Sequence, residues 1–124
     1  MRTTALPYIL NVQTVIETKA FLAAAKDAGM DEEERDALVA VVASDPTGGD
    51  LMQGTGGCRK LRYKKPGTGK SGGYRVISWF GGGDIPVFLL TVFGKNERAN
   101  LSKAERNALE KLTGRLRDTL RKKK

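Results

Sequence analysis

The sequence predicts an α+β fold: a small twisted, mainly antiparallel sheet with two N-terminal helices and one C-terminal helix. Apolar residues follow helical spacing in the first third, alternate in the middle, and form a long leucine stripe near the end. The predicted order is β, α, α, β, β, β, α, with the helices expected on one face of the sheet. A chain of 124 residues has the size of one domain, so residues 1–124 are predicted to form a single domain.

The first predicted elements are a strand and a helix. The stretch "NVQTVI", residues 11–16, alternates as a strand does. Thr18 can cap the helix that follows, and Gly29 stands where a left-handed residue ends a helix. The helix has apolar residues at helical spacing, namely Phe21, Leu22 and Ala25.

A second helix is predicted between Asp31 and Pro46. Asp31 and Glu34 have the spacing of a capping box, and Pro46 ends the pattern. The acidic run that opens this helix suits the positive end of the helix dipole and requires no functional explanation. The predicted buried stripe consists of Ala37, Leu38, Val41 and Val42.

Three strands and a long helix complete the chain. "CRKLRYK" and "GYRVISWF" alternate, whereas "IPVFLLTVF" is apolar on both faces, as a central strand is. Glycine-rich connections favour hairpins between them. Ser102 and Glu105 form another capping box, which begins an amphipathic helix. Its leucines are expected to pack on the sheet, and the alternative is a docking surface for a partner.

Several classes of protein are excluded by composition. No apolar run approaches the roughly 18 residues that cross a membrane, and the N-terminus lacks the features of a signal peptide, so a cytoplasmic protein is expected. The chain has one cysteine, Cys58, and no histidine, which leaves no intramolecular disulfide and argues against a zinc site. Cys58 is predicted to be a small, half-buried strand residue rather than a nucleophile, which would normally need a histidine base.

Positive charge is concentrated in the middle and at the end of the chain. Residues 1–53 hold four Lys/Arg and nine Asp/Glu, residues 54–80 hold seven Lys/Arg and no acid, and residues 81–124 hold eleven Lys/Arg and five acids. In residues 54–80 the positive charges repel one another unless a polyanion binds between them. This segment therefore favours nucleic acid as a partner over a merely solvated basic surface.

The stretch "KKPGTGKS", which begins at Lys64, resembles a P-loop at first sight. Lys64 occupies the position of the first P-loop glycine, and the stretch is followed by a predicted strand instead of a helix. A nucleotide-binding loop is therefore disfavoured, and a basic, glycine-rich loop remains.

The predicted strands place several cations together. Lys60 and Arg62 are two residues apart and share one side of a strand, Arg75 can lie beside them on the next strand, and Lys70 lies at the rim. On a helix-free face of the sheet, such a cluster suits a phosphate chain. The segment has no carboxylate pair to hold Mg²⁺, and no cofactor is expected.

RNA offers a reaction that needs neither metal nor histidine, because its own 2′-OH is a nucleophile. The protein then has to align this hydroxyl with the phosphorus, stabilise negative charge and move protons. Lys60 is the candidate base, since neighbouring cations favour the neutral form of an amine. Arg62 and Arg75 are expected to hold the phosphate.

The combination of "GTGGCRKLR", "GGYR" and "TVFGKNE" resembles the RelE/ParE superfamily of bacterial toxins, and most of all its HigB branch. The resemblance covers roughly residues 50 to 112. It implies a RelE-like fold and a ribosome-dependent endoribonuclease that cleaves mRNA in the ribosomal A site. It also implies a cognate antitoxin, usually a helix-turn-helix protein, through which the pair binds operator DNA.

Carried over by position, the resemblance places the family's two basic strand residues on Lys60 and Arg62, and its following arginine on Arg75. Two positions depart from RelE proper: Asn96 replaces a basic residue, and Ser102 lies near the position of a tyrosine. The predicted catalytic residues are Lys60, Arg62, Arg75, Lys95 and Asn96. Predicted nucleic-acid-binding residues are Arg59, Lys64, Lys65, Lys70 and Arg98, where Lys95 or Arg98 could replace the missing arginine.

A non-enzymatic alternative stays open at this point. The same basic sheet could bind RNA or DNA without cleaving it, or a ParE-like relative could bind an acidic surface of gyrase. If the protein is a ribosome-dependent endoribonuclease, its expected partners are an antitoxin, the ribosome and mRNA. No association with a membrane is expected.

Overall fold

The computed structural model describes residues 13–64, 73–94 and 100–122. Three helices and a five-stranded mixed sheet make up this part of the chain, which confirms the α+β prediction. In chain order the elements are β1 (Val15–Glu17), α1 (Lys19–Asp27), α2 (Glu32–Ser44), β2 (Asp50–Leu51), β3 (Arg59–Tyr63), β4 (Tyr74–Phe80), β5 (Val87–Gly94) and α3 (Lys103–Lys122).

The strands lie in the order β1-β5-β4-β3-β2, with β1 parallel to β5 and the other neighbours antiparallel. The two-residue strand β2 was not predicted, because it lies inside a turn-rich stretch and pairs only with the start of β3. The inner strand β5, which lies between β1 and β4, begins at Val87, two residues later than expected. Pro86 lacks an N–H for the ladder, and Val87 N makes the first bond, to Thr14 O at 2.8 Å.

The predicted ends of α1 and α2 are confirmed. Thr18 caps α1 and accepts a hydrogen bond from Phe21 N at 3.1 Å. Asp31 and Glu34 form both bonds of a capping box at the start of α2. Gly29 has a φ of 80°, the left-handed conformation that glycine adopts at low cost after a helix.

The helices pack on both faces of the sheet, so the prediction that they share one face is wrong. Adjacent residues of β4 point to opposite faces, and Val76 belongs to the core under α1 and α2 while Ile77 belongs to the core under α3. The first core includes Phe21, Leu38, Tyr63, Val76, Leu89 and Val92. The second includes Cys58, Ile77, Trp79, Leu90, Phe93 and Leu101, with Leu109, Leu112, Leu116 and Leu120 of α3 packed against it. Because β4 and β5 are apolar on both faces, helices must pack on both faces to shield them from water.

Burial also corrects two finer predictions. The buried stripe of α2 consists of Leu38, Val42 and Ala43, whereas Val41 is 45% exposed and Ala37 is half-buried. The buried side of α2 is therefore rotated around the helix axis, away from Ala37 and Val41 and towards Ala43. Cys58 is fully buried rather than half-buried, because it lies in the second core just before β3.

Side chains of α3 hold the loop that leads into β3. Thr113 Oγ1 donates to Thr55 O at 3.1 Å, and Arg117 Nη2 donates to Gly56 O at 2.7 Å. Thr113 is fully buried, and the Arg117 guanidinium lies 5.6 Å from the centre of the Trp79 ring. These contacts fix the loop between β2 and β3 and hence the start of β3.

None of the helices in the part of the chain described here is long and apolar enough to span a membrane.

Candidate functional site: a basic cluster on β3 and β4

Three predicted catalytic residues, Lys60, Arg62 and Arg75, lie on one face of the sheet and form what we call the basic cluster. Arg62 pairs directly with Arg75, and Lys60 pairs with Ile77 one position along the same face. Because Ile77 belongs to the core under α3, this is the face that α3 packs on. The expectation of a helix-free face is therefore wrong: α3 covers the part around Ile77, while Arg62 is exposed and Arg75 half-buried.

The two arginines face each other without an acidic partner. Within residues 13–64, 73–94 and 100–122, neither Arg62 nor Arg75 has a carboxylate oxygen within 4.0 Å. Arg75 Nη1 donates to its neighbour's carbonyl, Tyr74 O, at a long 3.5 Å. Like charges directly opposite each other in a sheet are destabilising. A bound anion such as a phosphate would offset this repulsion, and the planar guanidinium groups suit its oxygens.

Lys60 is held by a residue that sequence reasoning missed. Its Nζ donates to Asn100 Oδ1 at 3.0 Å. Asn100 lies just before the capping box of α3, in which Ser102 N donates to Glu105 Oε1 at 2.8 Å and Glu105 N to Ser102 Oγ at 3.1 Å. The capping box was predicted, but the contact joins residues 40 positions apart, and no local sequence pattern reveals it.

One acidic residue lies near the basic cluster. Asp50 of β2 pairs with Lys60 of β3, so both side chains are on the same face. No ion pair joins them in the structure. The segment 54–80 is free of acids as the sequence shows, but sheet pairing brings this carboxylate in from the preceding segment.

The other predicted binding residues do not belong to the basic cluster as the structure describes it. Arg59 points away from the basic cluster, and its Nη1 donates to Thr47 O at 2.9 Å and to Gly49 O at 3.2 Å, so its guanidinium already stabilises a turn. Lys64 is exposed just after β3. The remaining predicted site residues lie outside the described residues, namely Lys65, Lys70, Lys95, Asn96 and Arg98. Most of "KKPGTGKS" lies there too, but the strand β4 follows it, as the argument against a P-loop requires.

The tyrosines of β3 and β4 lie on the face opposite the basic cluster. Tyr63 packs in the core under α1 and α2, where its hydroxyl has no hydrogen-bond partner. The Tyr74 hydroxyl lies 3.3 Å from Glu34 Oε2, and burial together with this carboxylate raises its pKa. Ser102, near the position where RelE proper has a tyrosine, uses its hydroxyl in the helix cap. In the described ranges, Lys60 therefore has no phenol beside it.

Cys58 is close to the basic cluster in sequence but not suited to catalysis. Burial raises its pKa from 9.0 to about 11, against the smaller effects of a hydrogen bond with Thr55 and the charge of Arg117. A thiol in this environment stays protonated at neutral pH and is a poor nucleophile.

Comparison with known proteins adds two findings. The family model described as "RelE toxin of RelE / RelB toxin-antitoxin system" matches residues 13–123. A solved structure of a double arginine-to-alanine mutant of the E. coli toxin RelE, in the free state, is similar at 15% sequence identity and a TM-score of 0.46. That similarity covers 69% of this chain and 86% of the E. coli chain.

Proposed function

Because the chain belongs to the RelE toxin family of toxin-antitoxin systems, we propose that it is an endoribonuclease that cleaves mRNA in the ribosomal A site. The observation that carries this proposal is the pairing of Arg62 with Arg75, with no carboxylate partner for either in the described ranges. The arrangement is unfavourable for stability and favourable for holding a phosphate.

The proposed reaction uses the RNA's own 2′-OH. Its oxygen attacks the neighbouring phosphorus, the bond to the 5′-oxygen breaks, and a 2′,3′-cyclic phosphate and a 5′-hydroxyl result. Arg62 and Arg75 hold the phosphate oxygens and stabilise the additional negative charge of the transition state. Their role is electrostatic, and they take no part in the proton transfers.

Lys60 is the proposed general base. Its amine is held by Asn100, and it lies two residues before Arg62 on β3, on the same face as the arginines. As the base it accepts the proton of the 2′-OH, while the 5′-oxygen takes a proton from water as it leaves. No metal ion takes part in this scheme, since the 2′-OH supplies the nucleophile. Lys95, Asn96 and Arg98 remain proposed contributors to the same site.

Family membership implies a cognate antitoxin. We further propose that the antitoxin is a helix-turn-helix protein, that it carries the toxin to operator DNA, and that the chain belongs to the HigB branch. The ribosome and mRNA are the proposed targets in the cytoplasm. Residues 1–124 are proposed to form one domain.

The test is to induce the protein in cells and to map mRNA 5′ ends across translated reading frames. The comparison variant is Arg75→Ala, and the matched control is Arg115→Ala, an exposed arginine of α3. We expect cuts at fixed positions within codons, lost in Arg75→Ala and on blocking translation but kept in Arg115→Ala. Growth arrest with intact mRNA would contradict the proposal and favour a non-enzymatic toxin, including one that binds gyrase.

A further inference from the structure

A cavity of about 520 Å³ lies between the start of α3 and the loop that precedes β3. It is lined by Gln53, Gly54, Leu101, Lys103, Arg106 and Asn107. Two of these side chains are cationic, two carry amides, and none is acidic. Buried Leu101 supplies an apolar wall, and a volume of this size accommodates a small ligand such as a nucleotide.

The two cations of the cavity have spare hydrogen-bond donors. Lys103 is exposed and has no polar partner among the described residues. Arg106 is half-buried, and its Nη1 donates to Gln53 O at a long 3.4 Å, which leaves the other guanidinium N–H groups for a ligand. A phosphate group would accept from both side chains, while the amides of Gln53 and Asn107 can bond to a sugar or a base edge.

Asn100 links the basic cluster to the cavity wall. Asn100, which holds Lys60 Nζ at 3.0 Å, is followed directly by Leu101 in the cavity wall. An RNA strand that extended from the arginine pair past Lys60 and Asn100 would be able to use Lys103 and Arg106 as further phosphate contacts. Single-stranded nucleic acid is held in this way, by cations that follow its backbone.

We propose that this cavity is a second phosphate subsite, which binds the RNA backbone next to the nucleotide held by Arg62 and Arg75. The proposal rests on the proposed function, since it assumes that RNA occupies the basic cluster. It extends the site to a part of α3 that neither the charge pattern nor the family resemblance singled out. It also predicts that affinity grows when the RNA is long enough to reach both subsites.

The test uses 2′-O-methyl RNA, which lacks the nucleophile and cannot be cleaved, in two lengths: a dinucleotide and a strand of about ten nucleotides. Dissociation constants are measured by fluorescence anisotropy over a series of salt concentrations. The variant is Lys103→Ala, and the control is Lys111→Ala, an exposed lysine about 12 Å further along α3. Thermal melting of both variants checks that each keeps its fold.

With the longer RNA, we expect Lys103→Ala to weaken binding several-fold and to reduce the salt slope by about 0.7, the value for one lost contact to a single strand. Lys111→Ala should bind as the unchanged protein does, and the dinucleotide should not distinguish the two variants. Equal affinities and slopes for Lys103→Ala and Lys111→Ala with the longer RNA would overturn the subsite. Failure of the proposed function would appear differently, as unchanged binding of both RNAs by Arg62→Gln.

Discussion

Arg62 and Arg75 are directly opposite each other on neighbouring antiparallel strands, and in the described ranges no carboxylate oxygen lies within 4.0 Å of either guanidinium group. Directly opposite residues have Cβ atoms about 4.5 to 5.5 Å apart, so the two charges share a small area. The surrounding strand is stabilised by the cores on both faces, and these cores compensate for the repulsion. Stability and RNA binding should therefore respond in opposite ways when one charge is removed.

Replacement of one arginine by glutamine should separate stability from activity. Arg62→Gln keeps most of the side chain but removes the charge, so we expect the free energy of unfolding to stay the same or rise by roughly 0.2–1 kcal/mol. RNA cleavage should fall by at least about tenfold, because a charged contact to the phosphate is lost. Urea denaturation and a cleavage assay on translating ribosomes measure the two effects. A variant that is both less stable and fully active would contradict this interpretation.

Asn100 should affect turnover more than binding. Asn100→Ala removes the acceptor that holds the Lys60 amine, so kcat should fall while the dissociation constant for uncleavable RNA changes little.

Asn100→Asp provides a second readout on the same contact. A carboxylate in place of the amide that accepts from the Lys60 amine would favour the charged form of that amine in the variant. The pH–rate profile should therefore move to higher pH. A profile that does not move in Asn100→Asp would show that Lys60 is not the base.

Gly56 should tolerate substitution much less well than Gly54, although both have a left-handed backbone, with φ of 77° and 74°. A Cβ at Gly56 would collide with Thr113 Oγ1, while a Cβ at Gly54 would meet nothing within 4 Å. Gly54→Ala should cost about 1 kcal/mol from the backbone alone, and Gly56→Ala about 2 kcal/mol or more beyond that. Chemical denaturation compares the two. Equal losses would mean that α3 does not hold this loop tightly.

Cys58 should make the protein less stable at alkaline pH. Burial raises its pKa from 9.0 to about 11, so between these values the unfolded chain ionises while the folded one does not. Unfolding then releases a proton, and the free energy of unfolding should fall by about 1 kcal/mol from pH 8 to pH 10.

The control for this effect is Cys58→Ala, which lacks the thiol. Its overall stability is lower because of the cavity it leaves, so the slopes with pH are compared and not the absolute values. The raised pKa of Tyr74 acts in the same direction in both proteins and cancels. A slope that Cys58→Ala shares with the unchanged protein would contradict the assignment to the thiol.

Much of the candidate site was predictable because it depends on local patterns. Alternation along β3 places Lys60 and Arg62 on one side, and the pattern of β4 brings Arg75 to the same face. The helix caps at Thr18, Asp31 and Ser102 follow from short spacings. Each of these features is decided within a few residues, where propensity and hydrogen bonding act directly.

The contacts that complete the site were not predictable in this way. Asn100 bonds to Lys60 although 40 positions separate them in the chain. Asp50 lies beside Lys60 because the two-residue strand β2, which occurs in a turn-rich stretch, pairs with β3. Arg59, assigned to RNA from its charge, instead donates to the carbonyls of a turn. Charge and residue type alone do not show which partner a long side chain finds.

The sequence by itself determined the α+β class, most helix and strand positions, and the basic cluster, because hydrophobic periodicity and charge are carried by neighbouring residues. Only the tertiary structure decided that α3 lies opposite α1 and α2 and covers part of the face that carries the cluster. An amphipathic helix needs an apolar face to pack on, and β4 and β5 offer one on each side. The choice between these two faces depends on the path of the whole chain, which also determines that Asn100 contacts Lys60.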